Sequence, residues 1–232
     1  SMLHRIHTDE KGIYVCPTMS FDEKGHRPNS RIYYVLGCTG DSRLPECFYP
    51  TVEDFIGEGG TFLHPRAVYE AYPGHKAFCS AEGREAMGAF RFEKITLAPG
   101  ETVDFILLLG IEDKKEAVET VFEKYNTSAK IQKAFSSTKS YWQNQIVADF
   151  HTKEADFDRL MKWVCFQPFL RRMFGCSFLP YHDYGRGGRG WRDLWQDCLS
   201  LLLMEPDRVG HMIALNYEGV RIDGTNATII GD

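Results

Sequence analysis

Three arginines, Arg186, Arg189 and Arg192, alternate with glycines in GRGGRGWRDLWQD, and two aspartates, Asp193 and Asp197, follow them directly. Guanidinium groups only donate hydrogen bonds and carboxylates only accept them. Brought together they match a polyhydroxyl ring, whose every hydroxyl does both. Asp193 and Asp197 are four apart, so on a helix they share one face. Trp191 and Trp195 have the same spacing, and either could stack on the apolar face of a sugar, although such a pair serves equally as core. A helix-start cap beside solvated arginines would use the same residues, and local chemistry alone leaves both readings open. Two carboxylates could also suggest the acid and base of an inverting hydrolase. Neighbouring arginines would hold both ionised, which suits hydrogen bonding better than proton donation.

The remaining motifs mostly exclude. The glycine run at 185–190 has no Lys-Ser/Thr after it and no strand before it, so it is not a nucleotide phosphate loop, although amides before a helix can bind anions. His182 and Asp183 in PYHDYG lack a second ligand cluster, and no metal is expected. Seven cysteines, an odd number without a CxxC pair, fit neither a disulfide framework nor a zinc ribbon and point to a reducing, cytoplasmic setting. Cys165, Cys176 and Cys198 sit in apolar, helix-like surroundings and read as core. A net charge of -5 argues against nucleic acid or an anionic membrane as partner. No apolar run approaches the roughly 20 residues of a membrane span, and SMLHRIHTDEKG lacks the layout of a signal peptide. FYPTVEDFIGEGGTFLHPRAV, with Gly57, Glu58, Gly59 and Gly60, reads locally as a loop.

The elements that must position these residues fall into two kinds. The chain has 232 residues, 43% hydrophobic and 25% charged, the profile of a globular protein. Up to Glu112, short β-rich segments such as GIYVCPTMS, SRIYYVLGC and MGAFRFEKITL are separated by turn residues and predict antiparallel strands in a β-sandwich. FRFEKITL and TVDFILLLG, joined across Pro99-Gly100, read as its clearest pair, the second strand apolar enough to be fully buried. From there the period changes. Ala117, Val118, Val121, Phe122 and Tyr125 recur at helical spacing. Further helices are predicted over SAKIQKAFSSTKSYWQNQI, over EADFDRLMKWVCFQPFLRRMF with Phe157, Leu160, Met161 and Val164 as its apolar face, and from Trp191 to about Met204. The expected class is α+β with more than one domain. Both ends read as cut, so a fragment is expected.

In their order, these stretches resemble glycoside hydrolase family 94, the cellobiose, chitobiose, laminaribiose and β-1,2-oligoglucan phosphorylases. Phe55 to Ala67 is similar to the family's F-I-G-x-G-G-x-x-x-x-P-x-A segment. YWQNQIVADFHTKEADFDRLMKWVCFQ resembles its linker and the start of its barrel, and GRGGRGWRDLWQD its sugar-site motif G-R-G-x-G-F-R-D-x-x-Q-D. The resemblance implies a partial β-sandwich over 1–112, a helical linker over 113–149 and the first helices of an (α/α)6 catalytic barrel over 150–232. It implies reversible phosphorolysis of a β-linked gluco-oligosaccharide with inversion, giving an α-sugar 1-phosphate. Inorganic phosphate is then a co-substrate, and no cofactor is needed. Arg186 and Asp193 would hold the non-reducing sugar, with Trp191, Arg192 and Asp197 beside them. One extra residue in the loop makes Arg189 compete with Arg186. Where the family carries a phosphate-binding arginine this chain has Cys176, with Arg171 and Arg172 nearby. The general acid, an aspartate in the family, is expected beyond Asp232, so the fragment alone should not turn over substrate. A homodimer is an assembly the family offers and the sequence leaves open, as it does the glycosidic linkage. The alternatives are the phosphorylase-like domain of a cyclic β-1,2-glucan synthase, an inverting hydrolase and a glycan-binding module.

Overall fold

The computed structural model describes residues 4–18, 29–174, 189–226 and 229–230. They form two compact units, one from residues up to 136 and one from 137 onward. The first unit contains, in chain order, β1 (His4–Thr8), β2 (Gly12–Pro17), β3 (Ile32–Thr39), β4 (Cys47–Thr51), α1 (Val52–Ile56), α2 (Arg66–Tyr69), β5 (Ser80–Glu82), β6 (Ala86–Arg91), β7 (Phe105–Glu112) and α3 (Lys115–Tyr125), followed by the start of α4 (Ser128–Gln145).

Five strands form one antiparallel sheet in the order β5-β1-β2-β3-β7. Its longest pairing runs from Ile32↔Glu112 to Thr39↔Phe105. Period-two patterning decides the faces. Tyr14, Tyr34, Leu36, Cys38 and Ile106 point to one side and pack with Val118 and Phe122 of α3. Ile6 and Ile13, with Val15 and Val35, point to the other and meet Phe48 and Phe90 of the two-stranded β4–β6 sheet. The layers come close where Gly37 stands, because a Cβ there would lie 2.8 Å from the Phe90 ring. The result is a β-sandwich with a helix against its outer face, in a mixed α+β chain.

The expected hairpin across Pro99-Gly100 does not form. The turn is present, with Gly100 at φ 86° and the Glu101 N–H donating to Ala98 O at 3.0 Å. However, β6 ends at Arg91 and pairs with β4, while β7 pairs with β3. A local turn fixes only the reversal of the chain. The nearly continuous apolar run of β7 gains more beside IYYVLGCT, where it is matched over eight residues.

The second unit contains the end of α4, then α5 (Ala155–Phe174), β8 (Arg189–Gly190), α6 (Trp191–Leu201), α7 (Pro206–Tyr217) and β9 (Ile229–Ile230). Pro206 opens α7, where its missing N–H costs nothing. Phe169, Cys198, Leu201, Met204 and Val209 form the core, joined by Trp142, Ile146 and Cys165. The α5 face expected to be apolar is largely uncovered: Phe157, Leu160 and Val164 are exposed. The Cys165–Phe169 side is buried instead. The sequence of α5 is apolar on more than one side, so periodicity could not choose the buried one. Among the described residues no helix is long and apolar enough to cross a membrane.

Candidate functional site

Helix α6 carries the residues in question. β8 leads straight into it, and Arg189 and Gly190 pair antiparallel with Ile230 and Ile229. Trp191 is the first residue of α6. Its indole N–H donates to Asn216 O at 3.4 Å. Its ring meets Trp195 edge-on at 5.4 Å, and Trp195 meets Tyr217 at 5.1 Å. Asn216 is buried and in turn donates to Cys198 Sγ at 3.5 Å. The indole nitrogen of Trp195 is buried and has no acceptor among the described residues. A buried donor left unpaired carries a desolvation cost that a hydroxyl or anion oxygen would relieve.

Arg192, Asp193 and Asp197 all lie on α6. Arg192 is exposed, while Cys198 and Leu201 are buried. At about 100° per residue, Asp193 and Asp197 fall on the flank of α6 beside Leu201, within about 40° of each other. Arg192 sits about 100° from Asp193 and about 140° from Asp197, on the flank shared with Gln196 and Leu199. The helix therefore brings the two aspartates onto one face and sets Arg192 on another. The side chains of Arg189, Asp193 and Asp197 lie outside the described residues, as do Arg186, His182, Asp183 and Cys176 in full. Arg171 and Arg172 belong to the last turn of α5, their side chains likewise undescribed. Sequence reasoning missed Asn216 and Tyr217. The only signal for Asn216 was an amide among the apolar residues of HMIALNY.

The first unit holds a second polar feature, a cleft of about 410 Å³. It is built on α1, whose N-cap Thr51 and Asp54 form a reciprocal capping box. The glycine-rich segment then turns back sharply. Gly57 and Gly59 have φ 82° and 68°, and a Cβ at Gly60 would lie 2.0 Å from Ile56 O. His75 reaches Asp54 with Nε2 at 3.0 Å from Oδ1. Arg84 pairs with Glu53, and Arg66 lies 4.1 Å from the centre of the Tyr72 ring. Glu53 and Asp54 are thus engaged by Arg84 and His75 of the same cleft. Sequence gave no hint of His75 or Arg84, because only the folded β4–β6 layer brings them to α1.

Titration adds limits rather than activity. Burial raises the thiols of Cys38 and Cys165 above the ordinary range, so neither is poised as a nucleophile. Among the described residues no three His, Cys, Asp or Glu side chains come together as a metal site. Thr225 donates to Asp223 through its N–H and hydroxyl, at 2.9 and 2.7 Å, and holds that carboxyl below its usual value.

Compared with known proteins, the chain matches the family model described as glycosyl hydrolase 94, supersandwich domain, over residues 8–128. That stretch runs from the end of β1 to the start of α4. No curated protein matches the chain.

Proposed function

The chain belongs to the glycosyl hydrolase 94 family through its supersandwich domain, which places it among carbohydrate-active proteins, and on that premise we propose that it is part of an inverting glycoside phosphorylase. The observation that carries the reading is the order of parts. A matched sandwich is followed by a helical unit in which a helix bearing Arg192, Asp193 and Asp197 begins directly after the glycine-rich sequence GRGGRG. In this reading 1–112 is sandwich, 113–149 linker and 150–232 the start of an (α/α)6 barrel. The exposed apolar residues of α5 and α6, Leu160, Val164 and Leu199, support further helices packing on this unit.

The substrate is a β-linked gluco-oligosaccharide. Its non-reducing sugar is held by Asp193 and Asp197 from α6 and by Arg186 or Arg189 from the loop. A phosphate oxygen attacks C1 from the face opposite the leaving group, the C1–O bond breaks, and a general acid beyond Asp232 protonates the departing oxygen. The product is an α-sugar 1-phosphate. No cofactor or metal takes part, and the protein works in the cytoplasm.

The test uses the full-length protein, incubated with β-glucobioses with and without inorganic phosphate. Sugar 1-phosphate should form only when phosphate is present. Sugar release independent of phosphate would return the protein to the hydrolases. Asp193→Asn should cost at least about tenfold in kcat/KM, the loss expected for one hydrogen bond to a charged group. Near-normal kinetics would remove Asp193 from the site.

A further inference from the structure

The cleft beside α1 has no part in the proposed phosphorolysis, yet its lining is held more firmly than a surface loop needs. Ala71 and Phe78 have φ of 49° and 68°, in the left-handed region that side chains with a Cβ rarely enter. They bracket the stretch that brings Tyr72, His75 and Cys79 to the cleft. Such backbone persists only where its surroundings enforce it, and it gathers at ligand sites. Three anchors enforce it here. The Tyr49 hydroxyl donates to Tyr72 O at 2.6 Å. His75 and Phe48 exchange backbone hydrogen bonds of 2.8 and 2.9 Å. The Thr8 N–H donates to Cys79 O, and the Cys79 N–H to Thr8 Oγ1, both at 3.0 Å. Gly74 lies so close to β4 that a Cβ there would stand 2.7 Å from Phe48 O. The lining is therefore preorganised, which lowers the ordering cost of binding.

Its chemistry selects a class of ligand. The volume of about 410 Å³ is that of a small-molecule site. Three carboxylates, Glu53, Asp54 and Glu58, against two guanidiniums and one imidazole give no surplus of positive charge, so an anion is poorly served. Unused donors and acceptors remain side by side. Arg66 gives its Nε–H to Glu70 and Arg84 one N–H to Glu53, which leaves each guanidinium with further N–H groups. The Glu58 carboxylate and the Ser80 hydroxyl have no partner among the described residues. Tyr72, 38% exposed, adds an aromatic ring of the kind that packs on the C–H face of a sugar. We propose that this cleft is a second glycan site, holding one ring of a neutral gluco-oligosaccharide on the sandwich itself. The ligand class rests on the proposed function, but the ring is bound by the first unit and not by α6.

The experiment is a titration of the full chain, followed by amide resonances, with β-1,2-, β-1,3- and β-1,4-linked glucotetraose and, separately, with inorganic phosphate. The amides of Gly57, Gly59, Gly60 and Ser80 should shift saturably with at least one tetraose, with a Kd of about 1 mM, and should not move with phosphate. Glu58→Gln and Tyr72→Ala should each raise that Kd at least about fivefold. Both side chains are exposed, so the spectra of the free variants should otherwise match the wild type. Asp193→Asn should leave the cleft shifts in place, which separates this site from the one on α6: failure of the phosphorylase test leaves the titration standing, and the reverse. Cleft amides unmoved by every tetraose, shifts produced by phosphate, an unchanged Kd in both cleft variants, or loss of the shifts in Asp193→Asn overturns the proposal.

Discussion

Removing the Tyr14 hydroxyl tests how the sandwich is tied at its first turn. Asp9 is only 8% exposed, yet it is charged. Its Oδ1 accepts the N–H groups of Lys11 at 2.8 Å and Gly12 at 3.1 Å, and its Oδ2 accepts the Tyr14 hydroxyl at 2.7 Å. Lys115 of α3 stands 3.7 Å away. Tyr14→Phe removes a single hydrogen bond to a charged group, worth about 1.5–3 kcal/mol. Asp9 keeps its two backbone donors and Lys115, so the expected loss is at the lower end, about 1.5 kcal/mol. Asp9→Ala leaves the buried hydroxyl and two N–H groups without their acceptor and should cost more, about 3 kcal/mol. In the double variant the stranded hydroxyl is gone, so the sum overshoots by about 1.5 kcal/mol.

Urea unfolding reads this directly. All four tryptophans lie beyond 136, at Trp142, Trp163, Trp191 and Trp195, so their fluorescence reports the second unit, and a far-ultraviolet transition that this fluorescence does not follow reports the first. With a slope of about 1–3 kcal/mol per molar urea, the Tyr14→Phe midpoint should fall by roughly 1 M. Burial, then the bond to Asp9, raises the Tyr14 phenol far above its ordinary 10.0. A folded pKa above the unfolded one gives stability that is complete below pH 10 and is lost as pH rises beyond it. Tyr14→Phe should therefore lose less stability between pH 10 and 11 than the wild type. A midpoint shift within error, or additive single and double variants, would refute the tie.

Burial and the nearby Lys115 hold His7 below its ordinary 6.5, its ring stacked 4.9 Å from Tyr14. The unfolded chain then binds the proton more tightly, so stability falls as pH drops below 6.5, and His7→Gln should flatten the unfolding midpoint from pH 6.5 to 5. Leu201 is fully buried in the helical core, and Leu201→Ala should cost about 2–5 kcal/mol, seen in tryptophan fluorescence before the strand signal moves. Gly60→Ala forces a methyl against Ile56 O and should lower the melting temperature more than Gly83→Ala. At Gly83 the φ of 66° costs about 1–2 kcal/mol but the space is open.

Sequence revealed elements better than partners. Val118 and Phe122 of α3 were readable because a four-residue spacing defines one face, and the sheet supplies the surface it packs on. The strands of β3 and β7 were readable from their residue types. Their pairing was not, because Pro99-Gly100 offered a local hairpin and the competing β3 lies more than sixty residues earlier in the chain. The cleft at α1 was invisible for the same reason: Asp54, His75 and Arg84 share no local pattern. α5 failed differently, since its sequence offers several apolar sides and only neighbouring helices decide which is covered.

Helix geometry also divides GRGGRGWRDLWQD. In the sequence Arg192 and Asp193 are adjacent and seem to form one constellation. On α6 adjacency means separation, since one step turns about 100° around the axis. Arg192 goes to the solvent flank with Leu199, while Asp193 and Asp197 stay together beside the buried Leu201. In the proposed reading, a ring held by the two carboxylates takes its guanidinium from Arg186 or Arg189 in the segment before the helix. Its exit is tied down by the short ladder between Arg189–Gly190 and Ile229–Ile230 and by the Trp191 N–H bound to Asn216. Trp191→Phe removes the indole N–H that meets the Asn216 carbonyl, and so frees the start of α6 from α7 while leaving the aspartates where the helix puts them.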